Sequence, residues 1–177
     1  MNSPKQPAPG KNLGQGMLIT SFALALTILT FMFDGWIEDQ ANPNQEPTSN
    51  EYEDGSTEVI LQRNRQGHYV ANGTINNRPA TFLLDTGATD VAIPANVARE
   101  VGLNTGIEGR ANTAGGIVPI YSTSIDELAI GNIKWRDVAA SITPTMEGNM
   151  ILLGMSALKQ VEFTQRGETL TLKHFQY

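Results

Sequence analysis

Apolar positions along this chain fall into two regimes. Met17 to Phe33 reads MLITSFALALTILTFMF, seventeen residues without a charge and with no polar stripe beyond scattered Ser and Thr. Beyond Thr57 the apolar residues come in short runs separated by turn formers. The first regime predicts a helix solvated by lipid. Its length is at the short end of what crosses a hydrocarbon core of roughly 30 Å, and a helix packed on a globular core would carry a polar face. Trp36 and Ile37 suit the interface beyond it, which places the span at 17–37. A cleaved leader needs small residues at its processing site, whereas Phe31-Met32-Phe33 supplies bulky ones, so an anchor that is retained is expected.

The second regime predicts strands over Glu58 to Gln62, His68 to Ile75, Ala80 to Leu84, Val91 to Ile93, Ile117 to Ile120, Ile125 to Ile130, Ile133 to Ile142 and Thr169 to Phe175, with a further apolar strand at Ile151-Leu152-Leu153. Arg65-Gln66-Gly67, Asn76-Asn77 and Gly131-Asn132 fall between runs, where hairpins need residues tolerant of positive φ. Two short helices are expected. Ala95 to Val101 has Val97 and Val101 four apart with Gly102 as a stop, and Ser156 to Val161 opens on a capping-type Ser. Between the regimes, residues 38–56 contain no Val, Leu, Ile, Met or Phe but several acids, Pro43 and Pro47. Such a segment predicts a disordered acidic linker with an r.m.s. reach of about 25 Å. The organisation is therefore a tail over 1–16, an anchor over 17–37, a linker over 38–56 and an all-β domain over 57–177.

Charge gives this arrangement a direction. Lys5 and Lys11 precede the span and the next basic residue is Arg63, so the positive-inside rule puts the tail in the cytoplasm and the domain across the membrane. Cysteine is absent, which excludes a disulfide framework, a thiol nucleophile and a Cys-based metal site. The net charge of -6 carries no basic stripe and argues against a nucleic-acid partner. No cofactor or metal is called for.

One constellation carries chemistry. Asp85-Thr86-Gly87 follows the apolar Phe82-Leu83-Leu84, and Val91-Ala92-Ile93 begins soon after, which presents Asp85 on a tight loop above the core. A carboxylate at the end of an apolar strand is costly without a partner or a chemical reason to be there. The structural alternative is an Asx-turn that caps local N–H groups. About seventy residues downstream, Ile151-Leu152-Leu153-Gly154 is an apolar strand ending at a glycine, able to run beneath such a loop. Asn112-Thr113-Ala114-Gly115-Gly116, flanked by Ile117-Val118, reads as the tip of a hairpin. The triplet occurs once, and the chain has no internal repeat.

With these residues the region from Thr57 to Tyr177 resembles the retropepsin-like aspartic proteases, most closely bacterial single-domain members with one N-terminal span. The resemblance rests on Leu83-Leu84-Asp85-Thr86-Gly87-Ala88-Thr89 and on Leu152-Leu153-Gly154 as the partner motif. It implies an acid-protease barrel with one lobe per subunit and a catalytic loop formed by Asp85, Thr86 and Gly87. It also implies a substrate-covering flap at Thr113, Ala114, Gly115 and Gly116, a peptide or protein substrate, and a position in a bacterial inner membrane with the domain in the periplasm. Val91, Ile93 and Ile117 are guesses at pocket lining. Hydrolysis of a peptide bond without metal or covalent intermediate needs two carboxyl groups, one to take a proton from water and one to donate to the carbonyl oxygen. A single Asp85 per chain therefore implies a homodimer with the site on its two-fold axis. Retroviral relatives join subunits through their terminal strands.

The remaining polar residues have plainer roles. Asp90 is expected as a turn acid, His68 and His174 as strand or surface residues, and Trp135 as core. The sequon Asn72-Gly73-Thr74 carries no weight. A phosphoryl-accepting Asp would need a Lys that this loop lacks and crossover helices that the chain does not have. A peptide-binding module that keeps the dimeric scaffold without catalysis is the rival from another class.

Overall fold

The computed structural model describes residues 11–113 and 115–175, which form two compact units divided between Glu38 and Asp39. Helix α1 spans Lys11–Ala41, and its residues from Gly14 onward are long and apolar enough to cross a membrane. Its large apolar side chains, from Met17 to Ile37, are exposed. The hydroxyls of Thr20, Ser21, Thr27 and Thr30 each donate to the carbonyl four residues back, at 2.8–2.9 Å. Polar groups that bond to their own helix in this way need no water, which is what a lipid environment demands.

The second unit is mostly β, as expected. It contains β1 (Thr48–Glu51), β2 (Thr57–Gln62), β3 (Val70–Ile75), β4 (Arg78–Leu84), β5 (Val91–Pro94), β6 (Glu108–Thr113), β7 (Gly116–Ile130), β8 (Ile133–Thr143), β9 (Met150–Leu153), β10 (Glu162–Arg166) and β11 (Thr169–His174). Helix α2 (Ala95–Glu100) follows β5 and α3 (Met155–Leu158) follows β9. Seven strands form one sheet in the order β3, β4, β9, β5, β8, β7, β6. A further pairing of Thr74 and Ile75 with Ala129 and Leu128 brings β3 onto β7 and closes six of them into a barrel. Gly73 makes the closure possible, because a Cβ there would overlap the Ala129 carbonyl. The other four strands form a sheet in the order β1, β2, β11, β10. Alternate residues of β2 and β11, namely Val59, Leu61, Leu170 and Leu172, point into the core beside Phe82, Ile93, Ile125, Trp135 and Ile151. The turn residues behave as their chemistry requires, with Asn76, Asn77, Gly67 and Gly131 all at positive φ.

Three differences from the sequence reading have physical causes. Strands β6 and β10 are mostly polar and bury no residue fully, so they lack an apolar period and take their conformation from ladders with β7 and β11. The two runs between Ile117 and Ile130 are a single strand, β7, whose polar middle pairs with β8. The third difference is the segment 38–56, which is ordered where a disordered linker was expected. Thr48–Glu51 pairs antiparallel with Glu58, Val59, Ile60 and Thr57. Asn42 and Asn44 are buried.

Asparagine amides replace apolar burial in that segment. Asn44 donates to the carbonyls of Val70 (2.6 Å) and Gln62 (2.9 Å) and accepts from the Gln62 N–H at 2.6 Å. The Asn72 N–H donates to the Asn44 carbonyl at 3.0 Å, and Asn42 donates to the Asn72 side chain at 2.8 Å. The Asn72 amide oxygen also accepts from Thr81 on β4. The segment thus fills the open edge of β3, where unpaired backbone groups would otherwise be stranded. Asn44→Ala orphans three backbone partners and is expected to destabilise the β unit by about 3 kcal/mol, read by urea unfolding with hydrogen exchange. A soluble chain starting at Thr57 should melt below one starting at Asp39, and equal melting would contradict this account.

Candidate active site

The loop that carries Asp85 spans the gap between β4 and β5, and β9 occupies that gap. Thr81 to Leu84 pair in parallel with Met150 to Leu153, while Ala92 pairs antiparallel with Leu152 on the other side. The chain leaving β4 therefore arches over the end of β9, and the Asp85 N–H donates to the Leu153 carbonyl at 3.1 Å. The neighbouring Leu84 N–H donates to the Tyr69 carbonyl at 3.0 Å.

What supports the far side of the loop is the start of α3. The first N–H groups of a helix lack intrahelical partners. Here Met155 N–H donates to the Ala88 carbonyl at 2.8 Å and Ser156 N–H to the Thr89 carbonyl at 2.9 Å. Gly154 is buried between these contacts. A Cβ at Gly154 would overlap the Asp90 carbonyl and come to 2.8 Å from that of Ala88. The glycine serves close approach and not an unusual φ, which is -88°.

Ser156 was expected as a helix cap, but the cap position is Gly154 and Ser156 lies inside α3. Its buried hydroxyl accepts from the Val91 N–H at 3.0 Å and donates to the Ala139 carbonyl at 2.8 Å. It ties β5 to β8 directly below the loop. A small hydroxyl residue two places after the strand-ending glycine was the available signal.

Asp85 is half-buried, while Thr86 and Gly87 are exposed. The Asp85 Oδ1 accepts from the Gly87 N–H at 2.9 Å. The Asx-turn considered as an alternative is therefore present, and it fixes the carboxylate at the tip of the loop. Among the described residues no second carboxylate is hydrogen-bonded to Asp85, and the Thr86 hydroxyl has no partner. No cluster of residues suited to holding a metal ion occurs among the described residues.

The hairpin of β6 and β7 pairs Asn112 with Ile117 and Thr113 with Gly116, leaving a two-residue tip. Thr113 Oγ1 donates to the Gly116 carbonyl at 2.7 Å, and Gly116 has φ +116°. Thr113, Gly115 and Gly116 are exposed, and Ala114 lies outside the described residues. Ile117 beside the tip is 70% exposed, an unusual state for isoleucine. Val91 and Ile93 are fully buried in the barrel and do not line a pocket, because alternation in β5 turns both inward. A cavity of about 420 Å³ lies elsewhere, between the 102–106 loop and the Ser122 to Asp126 part of β7. None of its lining residues belongs to the Asp85 loop.

Residues 71–160, which contain both the Asp85 loop and Gly154, match the family model described as gag-polyprotein putative aspartyl protease. The chain belongs to this family. A protein of the cobV 5′ region in Sinorhizobium is 31% identical over 124 residues, covering 68% of this chain and 53% of its own. A Rickettsia prowazekii (strain Madrid E) protein is 36% identical over 47 residues, 27% of this chain and 20% of its own. The chain thus spans about half the length of the first relative and a fifth of the second. The crystal structure of a retropepsin-like aspartic protease from Rickettsia conorii superposes with a TM-score of 0.55 at 22% identity, covering 73% of this chain and 95% of that one. The β unit has the retropepsin-like fold.

Family membership and the loop geometry together give Gly154 and Ser156 definite consequences. Gly154→Ala is expected to push the Asp85 loop off β9 at a cost of about 3 kcal/mol. Ser156→Ala, which orphans the Val91 N–H and the Ala139 carbonyl, is expected to cost about 2 kcal/mol, with Ser156→Thr recovering part of it. Thermal unfolding of the full chain checks both, and an unchanged Gly154→Ala would contradict the close approach.

Proposed function

We propose that this chain is a membrane-anchored aspartic endopeptidase whose active site forms when two copies bring their Asp85 loops together. The observation that carries the reading is the single Asp85-Thr86-Gly87 loop, held by backbone bonds to β9 and α3 inside the family-matched region. One carboxylate would take a proton from water as it attacks the peptide carbonyl, while the partner's protonated carboxyl donates to the carbonyl oxygen. Two carboxyls about 3 Å apart share one proton because both cannot ionise cheaply, which supplies acid and base at once. The unpartnered Thr86 hydroxyl suits a bond to the neighbouring loop, and Gly87 permits close approach. Leu152, Leu153 and Gly154 support the loop from below.

Thr113, Ala114, Gly115 and Gly116 would act as the flap, closing over an extended peptide that pairs as an added strand, with Ile117 gaining an apolar neighbour. The apolar part of α1 would anchor the chain in a bacterial inner membrane, with the N-terminus cytoplasmic and the β unit periplasmic. Only residues 38–41 separate Ile37 from buried Asn42, so the covalent leash is short. Confinement to a bilayer raises the effective concentration of a weak dimer.

The test uses the full chain in liposomes over a range of protein densities with a mixed peptide library. Cleavage is expected to rise with the square of density at low density and to fall at least a thousandfold in Asp85→Asn, with peptide binding retained. Cleavage that survived Asp85→Asn would overturn the mechanism. Peptide binding without cleavage in the wild type would instead identify a binding module on the same scaffold.

A further inference from the structure

Dimerisation, on which the proposed site rests, needs a surface, and among the described residues β2 and β11 of the four-stranded sheet have no free edge for strand exchange. β2 and β11 pair along six residues within one chain, and β1 and β10 cover their outer sides. The ladder positions a second copy would occupy are filled. What the arrangement leaves is an edge. Among the described residues β10 pairs only with β11, and all five of its residues, Glu162 to Arg166, are exposed. Neither Glu162 nor Arg166 forms an ion pair among the described residues.

The geometry points to β10 as the dimer seam, pairing antiparallel with β10 of a second copy about a two-fold axis at Thr164. A two-fold perpendicular to a sheet leaves each residue on the same face as its mate. Directly opposed residues must also share a face. The sum of opposed residue numbers is then even, which leaves registers centred on Phe163, Thr164 or Gln165. Only the Thr164 centre pairs the whole strand. It sets Glu162 against Arg166 twice over, and Phe163, 44% exposed, against Gln165. A Gln165 centre would oppose Glu162 to Glu168, and a Phe163 centre would leave Arg166 opposite Gln160.

The other open edges are less suited. β1 has the single charge Glu51, with no basic residue to face it. In β6, Glu108 meets Arg110 only in a register centred on Gly109, which pairs three of the strand's six residues. β10 is also close along the chain to the catalytic loop. Ser156 bonds Thr89, and the six residues from there to Glu162 reach at most about 20 Å. β10 therefore starts within that distance of the Thr89 end of the Asp85 loop. Five paired residues form a small seam, in keeping with a dimer that depends on membrane density.

Because the chain has no cysteine, Thr164→Cys creates a lone thiol at the axis. Opposed Cα atoms in an antiparallel pair lie about 4.5–5.5 Å apart, within disulfide reach. Oxidation of full-length Thr164→Cys in liposomes is expected to give a linked dimer, while Thr48→Cys on the opposite edge is not. Glu162→Arg and Arg166→Glu should each raise the density needed for half-maximal dimerisation, read by energy transfer between labelled chains, about tenfold. A mixture of the two variants should restore dimerisation, since each then faces its complement, and so should the double swap. Misfolding would not be rescued by mixing. Single reversals without effect, reversals that mixing fails to restore, or no link at position 164 would each overturn the seam. Asp85-dependent cleavage that ignored these changes would overturn the seam and leave the protease reading intact. A β10-paired dimer that cleaved nothing would do the opposite.

Discussion

Everything around Asp85 depends on a backbone constraint: the loop between β4 and β5 must satisfy its peptide groups while arching over the end of another strand. β9 supplies an acceptor through the Leu153 carbonyl, and α3 supplies donors through the N–H groups of Met155 and Ser156. Those donors are available because a helix start leaves its first N–H groups unpaired. The arrangement works only if the turn from β9 into α3 passes within contact distance of the Ala88 and Asp90 carbonyls, and that requires glycine at 154. A loop fixed on both sides by main chain holds its carboxylate in one place without side-chain partners. Asp85 adds its own brace through the Gly87 N–H.

The same economy of polar groups governs the entry to the domain. Residues 39–56 cannot bury hydrocarbon, yet Asn42 and Asn44 lie in the interior because their amides match the backbone groups that β3 leaves open. Buried amides are tolerable when every partner is met. The consequence is a β unit that begins at Asp39, within the last residues of α1.

The proposed chemistry needs two carboxyl groups at one site and the Asp-Thr-Gly triplet occurs once in the chain, so the catalytic proposal turns on association. The four-stranded sheet bears on this directly. By pairing β2 with β11 in one chain, it spends the strands available for exchange and presents β10 at the margin. Subunit contact would then be an edge-to-edge event between short charged strands, weak enough for membrane confinement to control.

Legibility followed apolar period and local chemistry. The helix from Met17 to Phe33, the strands of the barrel, the asparagine and glycine turns, and the pairing of Asp85-Thr86-Gly87 with Leu152-Leu153-Gly154 could all be read in the chain, since each rests on a burial pattern or a conformational preference within a few residues. β6 and β10 could not be read, because a polar strand owes its shape to a neighbour distant in sequence. Val91 and Ile93 proved to be core because alternation in β5 faces them inward, which no local signal distinguishes from pocket lining. The sequence by itself determined where the Asp85-Thr86-Gly87 loop and the Leu152-Leu153-Gly154 strand end fall, and that the triplet occurs once. Tertiary structure alone decided that segment 42–51 belongs to the domain, that Ser156 ties β5 to β8, and which sheet edges remain open, because hydrogen bonds across long stretches of chain leave no trace in local composition.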